Sequence, residues 1–316
     1  MFGIKYYGVR GSIPTPIDTN EIVHKFNKVL DDIKPEDLKD AKSKSAFLEK
    51  QRETLRTIGG NSSCVRILSD ESAIFCDAGT GLRVAGLDLL KESKGSKSIH
   101  IFLSHTHWDH IMGFPFFAPA YIPGYEVNIY SCHDHLKQRF EHQQIDTHFP
   151  VSLDMMAGKL NFIELEVGKK VVIADVEVTP VLQDHPGDSY AYVFEKNNKK
   201  VIYATDSSYQ YLNKMPQMKN VYSNADAFIF DAMYTFLDYV EKIDWGHSSS
   251  FFGVDFCARE NIKNLILFHH EPMYNDEKVL DILDKTQKYK KINCREKDLE
   301  IRLAIEGETL LIEGAL

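Results

Sequence analysis

The feature that most constrains this 316-residue chain is an apolar run followed by four potential metal ligands within six positions. The run Ile99–Leu103 is rich in β-branched and aromatic residues, and such a composition predicts a buried strand. The sequence SHTHWDH comes next and contains His105, His107, Asp109 and His110. Imidazole and carboxylate groups are ligands that zinc, manganese and iron accept in proteins. The segment therefore predicts a fold that carries polar groups from the end of a buried strand into a metal site.

The spacing of these four residues indicates two metal ions. Alternate residues of an extended segment point to the same side, so His105 and His107 can share one ion. The chain is then expected to turn into a helix, in which Asp109 and His110 can serve a second ion. The same arrangement, a polar residue directly after a predicted strand, recurs at His185, at Asp206 and at the pair His269 and His270.

Runs that predict strands alternate with segments of helical periodicity along the whole chain. Strands are predicted at Cys64–Leu68, Ser72–Cys76, Ile99–Leu103, Val127–Tyr130, Val171–Val181, Tyr190–Phe194, Val201–Ala204, Ala227–Phe230, Leu265–Phe268 and Ile301–Ile305. Helices are predicted at Asn20–Ile33, Pro35–Arg56, Leu136–Gln144, Phe251–Glu260 and Asp276–Tyr289. Because no Pro-, Gly- or Ser-rich linker interrupts the pattern, we expect a single α/β (α+β) domain over residues 1–316, with two sheets flanked by helices.

Residues 18–57 are expected to form a helical insertion near the N-terminus. The stretch is densely charged, contains no glycine, and separates the glycine-rich turns GVRGS and GGNSS. Both turns should lie at one edge of a sheet. The insertion is therefore interpreted as a lid over the site or as a dimerisation arm, with a solvated helical hairpin as the alternative.

Composition excludes several classes of protein. The 37 Lys+Arg and 46 Asp+Glu residues give a net charge of −9, whereas a protein that binds a nucleic-acid backbone needs a basic face. No apolar stretch is long enough for a membrane helix, and the N-terminus lacks the apolar region of a signal peptide. Five cysteines without a CxxC spacing indicate reduced thiols. We expect a cytoplasmic protein without a membrane partner.

The order of the candidate ligands, together with FCDAGTG at 75–81, resembles that of the metallo-β-lactamase-fold hydrolases. The resemblance implies a four-layer αββα sandwich with a two-metal site at one edge of the sheets. Carried over by position, the resemblance implies that His105, His107 and His185 hold one metal. It implies that Asp109, His110 and His269 hold the other, with His270 as the alternative to His269, and that Asp206 bridges the two metals. The resemblance also implies that Asp77 orients a metal-bound histidine. The cofactors would be two divalent ions, zinc first, with manganese and iron as alternatives.

Two later motifs resemble the phosphodiesterase branch of this family, which contains ribonuclease Z and small cyclic-nucleotide phosphodiesterases. Asp231 ends a predicted strand, and the sequence WGHSSS contains His247 and Ser248. In that branch a carboxylate holds a histidine that serves the scissile phosphate, and Asp231 and His247 would take these parts. The implied mechanism is attack on phosphorus by a hydroxide shared between the metals, with His247 as general acid. Asp109 is also predicted to be catalytic, together with Asp231 and His247.

The substrate predicted from these motifs is a small cyclic nucleotide of the 3′,5′-cyclic AMP or GMP type. Arg10 and Ser12 are expected to contact its phosphate from the first glycine-rich turn, and Ser248 is a further substrate contact. The aromatic residues of FPFFAPAY, at 114–121, would stack on a base or pack in the core. One alternative is a ribonuclease Z-like tRNA 3′-processing endonuclease, but residues 145–185 contain no glycine- and proline-rich arm of the kind with which ribonuclease Z binds tRNA. The other alternative is a non-catalytic nucleotide sensor. We expect a homodimer with a small-molecule phosphodiester as partner, not a nucleic acid.

Overall fold

The computed structural model describes residues 1–92, 96–209 and 221–313, which contain two mixed β-sheets. One sheet comprises β1 (Phe2–Gly8), β2 (Cys64–Leu68), β3 (Ala73–Cys76), β4 (Ser98–Phe102), β5 (Glu126–Ser131), β6 (Lys159–Glu164) and β14 (Thr309–Glu313), in the order β14-β1-β2-β3-β4-β5-β6. The other comprises β7 (Val171–Ile173), β8 (Val176–Gln183), β9 (Ser189–Lys196), β10 (Lys199–Ala204), β11 (Ala227–Asp231), β12 (Asn264–Phe268) and β13 (Glu300–Leu303), in the order β13-β12-β11-β10-β9-β8-β7. Strands β3 to β6 are parallel to one another, as are β10 to β13. Their carboxyl ends therefore collect polar residues along one edge of each sheet.

Helices form the two outer layers of the sandwich. The α-helices are α1 (Thr19–Asp31), α2 (Ala41–Lys50), α3 (Arg52–Leu55), α4 (Gly81–Lys91), α5 (Trp108–Ile111), α6 (Leu136–Gln143), α7 (Phe236–Glu241), α8 (Ser250–Glu260) and α9 (Asp276–Asn293). Short 3₁₀ helices lie at Pro35–Leu38, Phe114–Phe116, Ala118–Tyr121, Leu153–Met155 and Ile243–Trp245. Helices α4 and α6 pack on the first sheet, and α8 and α9 pack on the second. The predicted αββα sandwich is confirmed.

Alternation along the strands explains why the first sheet is buried on both faces. In β3, Ile74 and Cys76 belong to the core between the sheets, whereas Phe75 faces the helical layer that contains Leu82 of α4. In β4, Phe102 likewise faces the second sheet. Since successive side chains of a strand point to opposite faces, an uninterrupted apolar run is what a strand between two layers requires.

Several secondary-structure predictions differ from the structure. The helix predicted at Pro35–Arg56 is divided into a 3₁₀ helix, α2 and α3, and strands β1, β6 and β14 were not predicted. The segment predicted as one strand at Val171–Val181 forms two strands, β7 and β8, which pair antiparallel around a turn where Ala174 has a φ of 51°. Helix α4 was not predicted, because Gly81 and Gly86 lower its helical propensity. Gly86 is required by packing, since a Cβ atom there would lie 2.8 Å from the ring of Phe117.

Residues 18–57, which the sequence predicts to be an insertion, are largely helical and contact the start of α9. Asp18 caps α1 by accepting a hydrogen bond from the Glu21 amide at 2.9 Å. The Lys25 ammonium lies 2.9 Å from the carboxylate of Asp276, and His24 lies 2.8 Å from that of Glu277. These contacts fix the insertion to the body of the domain. No helix in the described ranges is long and apolar enough to span a membrane.

Candidate functional site

Backbone conformation at the strand ends turns several predicted site residues toward one another. Ser12, Asp77, Asp206 and His269 have φ values of 59°, 59°, 51° and 61°. A residue other than glycine in this left-handed region costs about 1–2 kcal/mol. Such strain persists only where surrounding contacts hold it, and it concentrates at functional sites. Its recurrence at three strand ends and in the loop after β1 marks this edge of the sandwich.

The first group, the histidine cluster, contains His105, His107 and His185. The Nε2 atom of His105 lies 2.8 Å from Nδ1 of His107, and that nitrogen lies 3.4 Å from Nε2 of His185. Asp206 adjoins the cluster, because its Oδ2 atom lies 3.7 Å from His105 and 3.8 Å from His185. Three imidazole nitrogens thus converge on one point.

The second group, the carboxylate cluster, contains Asp109, His110, Asp206 and His269. The His110 Nε2 atom lies 3.1 Å from Oδ2 of Asp109 and 3.3 Å from Oδ1 of Asp206. The His269 Nε2 atom lies 3.2 Å from the same two oxygens. Because Asp206 directs one oxygen to each group, it joins the two clusters.

Hydrogen bonds on the outer side of the rings determine which nitrogen faces the site. The Ser104 hydroxyl donates to Asp77, so it accepts from Nδ1 of His105 at 3.0 Å. The Nδ1 atom of His110 donates to Asp77 at 2.7 Å, and that of His185 donates to the Gly246 carbonyl at 3.0 Å. The predicted contact between Asp77 and a cluster histidine is therefore present. In all three rings Nε2 is therefore the nitrogen that faces the site.

The charges of the clusters call for a cation. Burial lowers the pKa of His105 well below its usual value. Burial also opposes charge on His110, but the carboxylates of Asp109 and Asp206 outweigh it and raise the pKa of His110 well above its usual value. Burial likewise opposes ionisation of Asp206, yet His269 and His110 hold its pKa well below the usual range. The buried carboxylates therefore stay ionised and need positive charge beside them.

The donor spacing fits metal ions. Four ligands at about 2.0–2.1 Å from a tetrahedral zinc ion are about 3.3–3.4 Å apart. Most separations within the two clusters lie near this value. Within each cluster the ligand atoms all lie within 4.8 Å of one another, close enough to share one ion.

His247 lies beside both clusters and is held by Asp231. The Nδ1 atom of His247 is 2.8 Å from Oδ2 of Asp231, which is completely buried. That carboxylate also accepts hydrogen bonds from the amides of Ser207 and Met233, each at 3.1 Å. The ring of His247 is therefore fixed, and its Nε2 atom is the nitrogen left for a ligand.

The structure does not support Arg10 or Ser248 as substrate contacts. The Arg10 guanidinium is buried and donates to the carbonyl oxygens of Gly59 at 2.8 Å and Tyr274 at 2.7 Å. Ser248 is also buried, and its hydroxyl donates to the Ser207 carbonyl at 2.7 Å. The polar atoms of both side chains are already hydrogen-bonded within the protein. These side chains therefore hold the loops around the site in place.

Ser12 and His269 line the cavity of the site, whereas the alternative ligand His270 does not. The Ser12 amide donates to Asp109 at 2.8 Å. His270 turns away, and its Nε2 atom lies 3.2 Å from the Ala304 carbonyl.

An open cavity of about 420 Å³ lies over the two clusters. Its described lining consists of Ser12, Thr106, His107, Trp108, Asp109, Asp206, His247 and His269. Trp108 was missed by the sequence analysis, and its indole is 80% exposed. The sequence pattern could have indicated this exposure, because Trp108 lies between His107 and Asp109, two predicted ligands that point inward. Of the aromatic run, Phe114 and Phe117 are core residues, and Phe116 packs on Phe149 at a ring distance of 5.5 Å.

Comparisons with known proteins agree with this architecture. Residues 73–270 match the family model described as a β-lactamase superfamily domain. No curated protein matches the sequence significantly. The metallo-β-lactamase fold protein YhfI from Bacillus subtilis superposes with a TM-score of 0.64 at 17% identity, over 98% of each chain. Unliganded yeast PDE1 gives 0.65 at 14% identity, and the short form of human tRNase Z (ELAC1) gives 0.61 at 14%, each over 98% of this chain and 99% of the other. At these identities the structures share a fold with this chain.

Proposed function

The chain belongs to the β-lactamase superfamily, and from this premise we propose that it is a two-metal phosphodiesterase that hydrolyses small cyclic nucleotides. The family and the enzyme class predicted from the sequence, a metal-dependent hydrolase, are confirmed at this level. The observation that carries the finer proposal is the carboxylate-held His247, which lines the same cavity as both ligand clusters.

The two clusters are proposed to hold two divalent ions. His105, His107 and His185 would hold one ion, Asp109, His110 and His269 would hold the other, and Asp206 would bind both. Nitrogen and carboxylate donors suit zinc, which we propose, and also manganese or iron. When bound, the ions supply an activated water and neutralise charge on the phosphate oxygens. Asp109 remains among the proposed catalytic residues because it lines the cavity within the carboxylate cluster.

His247 is proposed to protonate the leaving oxygen of the substrate. Asp231 accepts a hydrogen bond from Nδ1 of His247, so Nε2 is the nitrogen that would donate a proton in the cavity. The buried carboxylate fixes the ring in this orientation. A positioned general acid of this kind contributes about 10²- to 10⁴-fold to the rate.

The cavity and its surroundings favour a small substrate with an aromatic base. Trp108 exposes most of its indole at the rim, and an aromatic face can stack on a base. The net charge of −9 does not suit a long polyanion. The stretch 145–185, where the nuclease alternative would need a tRNA-binding arm, contains strands β6, β7 and β8.

The direct test is a substrate panel. Protein purified without chelators and loaded with zinc or manganese is incubated with cyclic mono- and dinucleotides and, in parallel, with precursor tRNA. We expect hydrolysis of cyclic nucleotides and about two metals per chain by mass spectrometry. Cleavage of the tRNA alone would replace the proposal with the nuclease. Fewer than about one metal per chain, without any turnover, would favour a nucleotide sensor.

His247→Ala tests the acid assignment. We expect kcat to fall by about 10²- to 10⁴-fold, while both metals stay bound, because His247 lies outside the two proposed ligand sets. His142→Ala on the exposed side of α6 is the matched control and should leave kcat unchanged. Near wild-type turnover by the His247 variant would contradict the assignment.

We also propose that residues 18–57 form a dimerisation arm. The described lining of the metal cavity includes no residue of this insertion, so a lid is not favoured. Helix α1 exposes Ile22, Val23, Phe26 and Leu30, by 42%, 51%, 54% and 54%. Light scattering should give twice the chain mass of 36.2 kDa, and Phe26→Glu should reduce it to one chain. Leu48→Glu, on α2, is the control, and a wild-type particle of one chain would refute the arm.

We propose a cytoplasmic location. The five cysteines form no disulfide with one another, which fits a reducing compartment. Recovery of the tagged chain in a secreted or membrane fraction would contradict this location.

A further inference from the structure

Arg139 places a guanidinium beside Thr106, a residue of the cavity lining. The residue lies on α6 and is half-buried. Its Nη1 atom donates to the Thr106 hydroxyl at 2.8 Å, and its Nε atom donates to the Asp134 carbonyl at 3.1 Å. Thr106 lines the cavity and stands between His105 and His107 in the chain. The cation is therefore anchored one side chain away from the histidine cluster.

The charge of Arg139 is not neutralised by its anchors. Both acceptors are neutral, and no carboxylate lies within 4.0 Å of this guanidinium in the ranges that the structure describes. By contrast, Arg10 and Arg66 pair with Asp276 and Glu92. A guanidinium has five N–H donors in a planar fork, and here two are used. The remaining donors and the full charge are available to an anion, in a side chain whose orientation is already fixed.

A buried histidine lies close enough to Arg139 to be affected by its charge. His133 is 5% exposed and packs edge-on against Tyr190, with ring centroids 4.9 Å apart. Its Nε2 atom has no hydrogen-bond partner among the described residues. Burial, and then the charge of Arg139, lower the pKa of His133 to about 4, so the ring is neutral at physiological pH. His133 is therefore a neutral neighbour of Arg139, and its buried Nε2 atom is not part of the described cavity lining.

We propose that Arg139 binds a second phosphate of the substrate, so that the enzyme prefers cyclic dinucleotides to cyclic mononucleotides. This inference rests on the proposed function, because it names the substrate class of the same site. Thr106 separates Arg139 from the clusters, so an anion bound there is a different group from the phosphate beside His247. A cyclic mononucleotide has one phosphate and a cyclic dinucleotide has two. Arginine is the side chain best suited to such a contact, because its fork matches phosphate oxygens in a bidentate arrangement.

The test compares substrates that share a base and differ in the second phosphate. KM and kcat are measured for cyclic AMP with cyclic di-AMP, and for cyclic GMP with cyclic di-GMP, on wild type and Arg139→Gln. Loss of hydrogen bonds to a charged group should raise KM for the dinucleotides by roughly 10- to 100-fold. KM for the mononucleotides and the metal content should stay unchanged. Arg139→Lys keeps the charge and should recover part of the loss. Lys137→Gln removes an exposed cation of the same helix and is the control.

The outcomes separate this inference from the proposed function. Equal KM changes for both members of a pair, or no change for either, would overturn the role of Arg139 and leave the phosphodiesterase intact. No turnover of these four nucleotides or of bis(p-nitrophenyl) phosphate would overturn the proposed function. Calorimetric binding of the cyclic dinucleotides to wild type and Arg139→Gln then decides the role of Arg139, because weaker binding by the variant supports it and equal binding refutes it.

Discussion

Replacing Asp77 by asparagine is expected to weaken metal binding although Asp77 belongs to neither cluster. Asp77 is completely buried and accepts hydrogen bonds from the Ser104 amide at 2.7 Å and hydroxyl at 2.8 Å. It also accepts from Nδ1 of His110 at 2.7 Å and from the Tyr203 hydroxyl at 2.6 Å. Four donors thus share one carboxylate.

Asparagine cannot satisfy these donors. If its amide group replaces Oδ2, it faces the donors of His110 and Tyr203, and if it replaces Oδ1, it faces the Ser104 amide. An unpaired buried polar group costs about 1–3 kcal/mol of stability. To accept a hydrogen bond, His110 must move its proton to Nε2, the nitrogen that faces Asp109 and Asp206. Loss of such an outer contact lowers metal affinity by about 10- to 100-fold, which corresponds to about 1.4–2.7 kcal/mol.

Affinity is measured by competition with a chromophoric chelator, and thermal unfolding of the metal-free protein measures the structural cost. Tyr203→Phe is the matched control, because it removes one donor and leaves the carboxylate and its contact with His110 intact. Wild-type metal affinity in Asp77→Asn would refute the conclusion that the tautomer of His110 is set by this carboxylate.

Three further predictions concern the surroundings of the site. Gly11→Ala would place a Cβ atom 2.6 Å from Cε1 and Nδ1 of His269, so metal content measured by mass spectrometry should fall below wild type. Trp108→Ala should raise KM for cyclic nucleotides by roughly 5- to 150-fold, since stacking on one base is worth about 1–3 kcal/mol, whereas Trp245→Ala, outside the cavity lining, should not. Burial lowers the pKa of His270 to about 3. Below pH 6.5 the unfolded chain therefore binds a proton that the folded chain does not bind, so the free energy of unfolding falls as the pH falls. The slope is at most about 1.4 kcal/mol per pH unit. His270→Gln should flatten this dependence in urea denaturation of the metal-free protein between pH 7 and about 4, and an unchanged slope would contradict the assignment.

The sequence alone was sufficient for the fold and for the candidate ligands. A buried strand needs a continuous apolar run, and a polar residue directly after it must lie at the edge of the sheet. The segment after Leu103 and the isolated residues His185 and Asp206 follow this local rule, so the structure finds them together. The resemblance to a known family then added Asp231 and His247, which are neighbours at 2.8 Å although they are 16 positions apart.

Only the tertiary structure decided the direction of each side chain. His269 and His270 are adjacent and equally polar, yet the left-handed backbone at His269 turns its ring into the carboxylate cluster. His270 faces Ala304, a residue 34 positions away. Arg10 was expected at the phosphate, but carbonyl groups from distant segments hold its guanidinium. The sequence did not indicate a role for Arg139. That role depends on the absence of a carboxylate within 4.0 Å of its guanidinium among the described residues, which only the structure shows. The contacts of these side chains depend on how distant loops pack against one another. The local pattern of residues does not determine that packing.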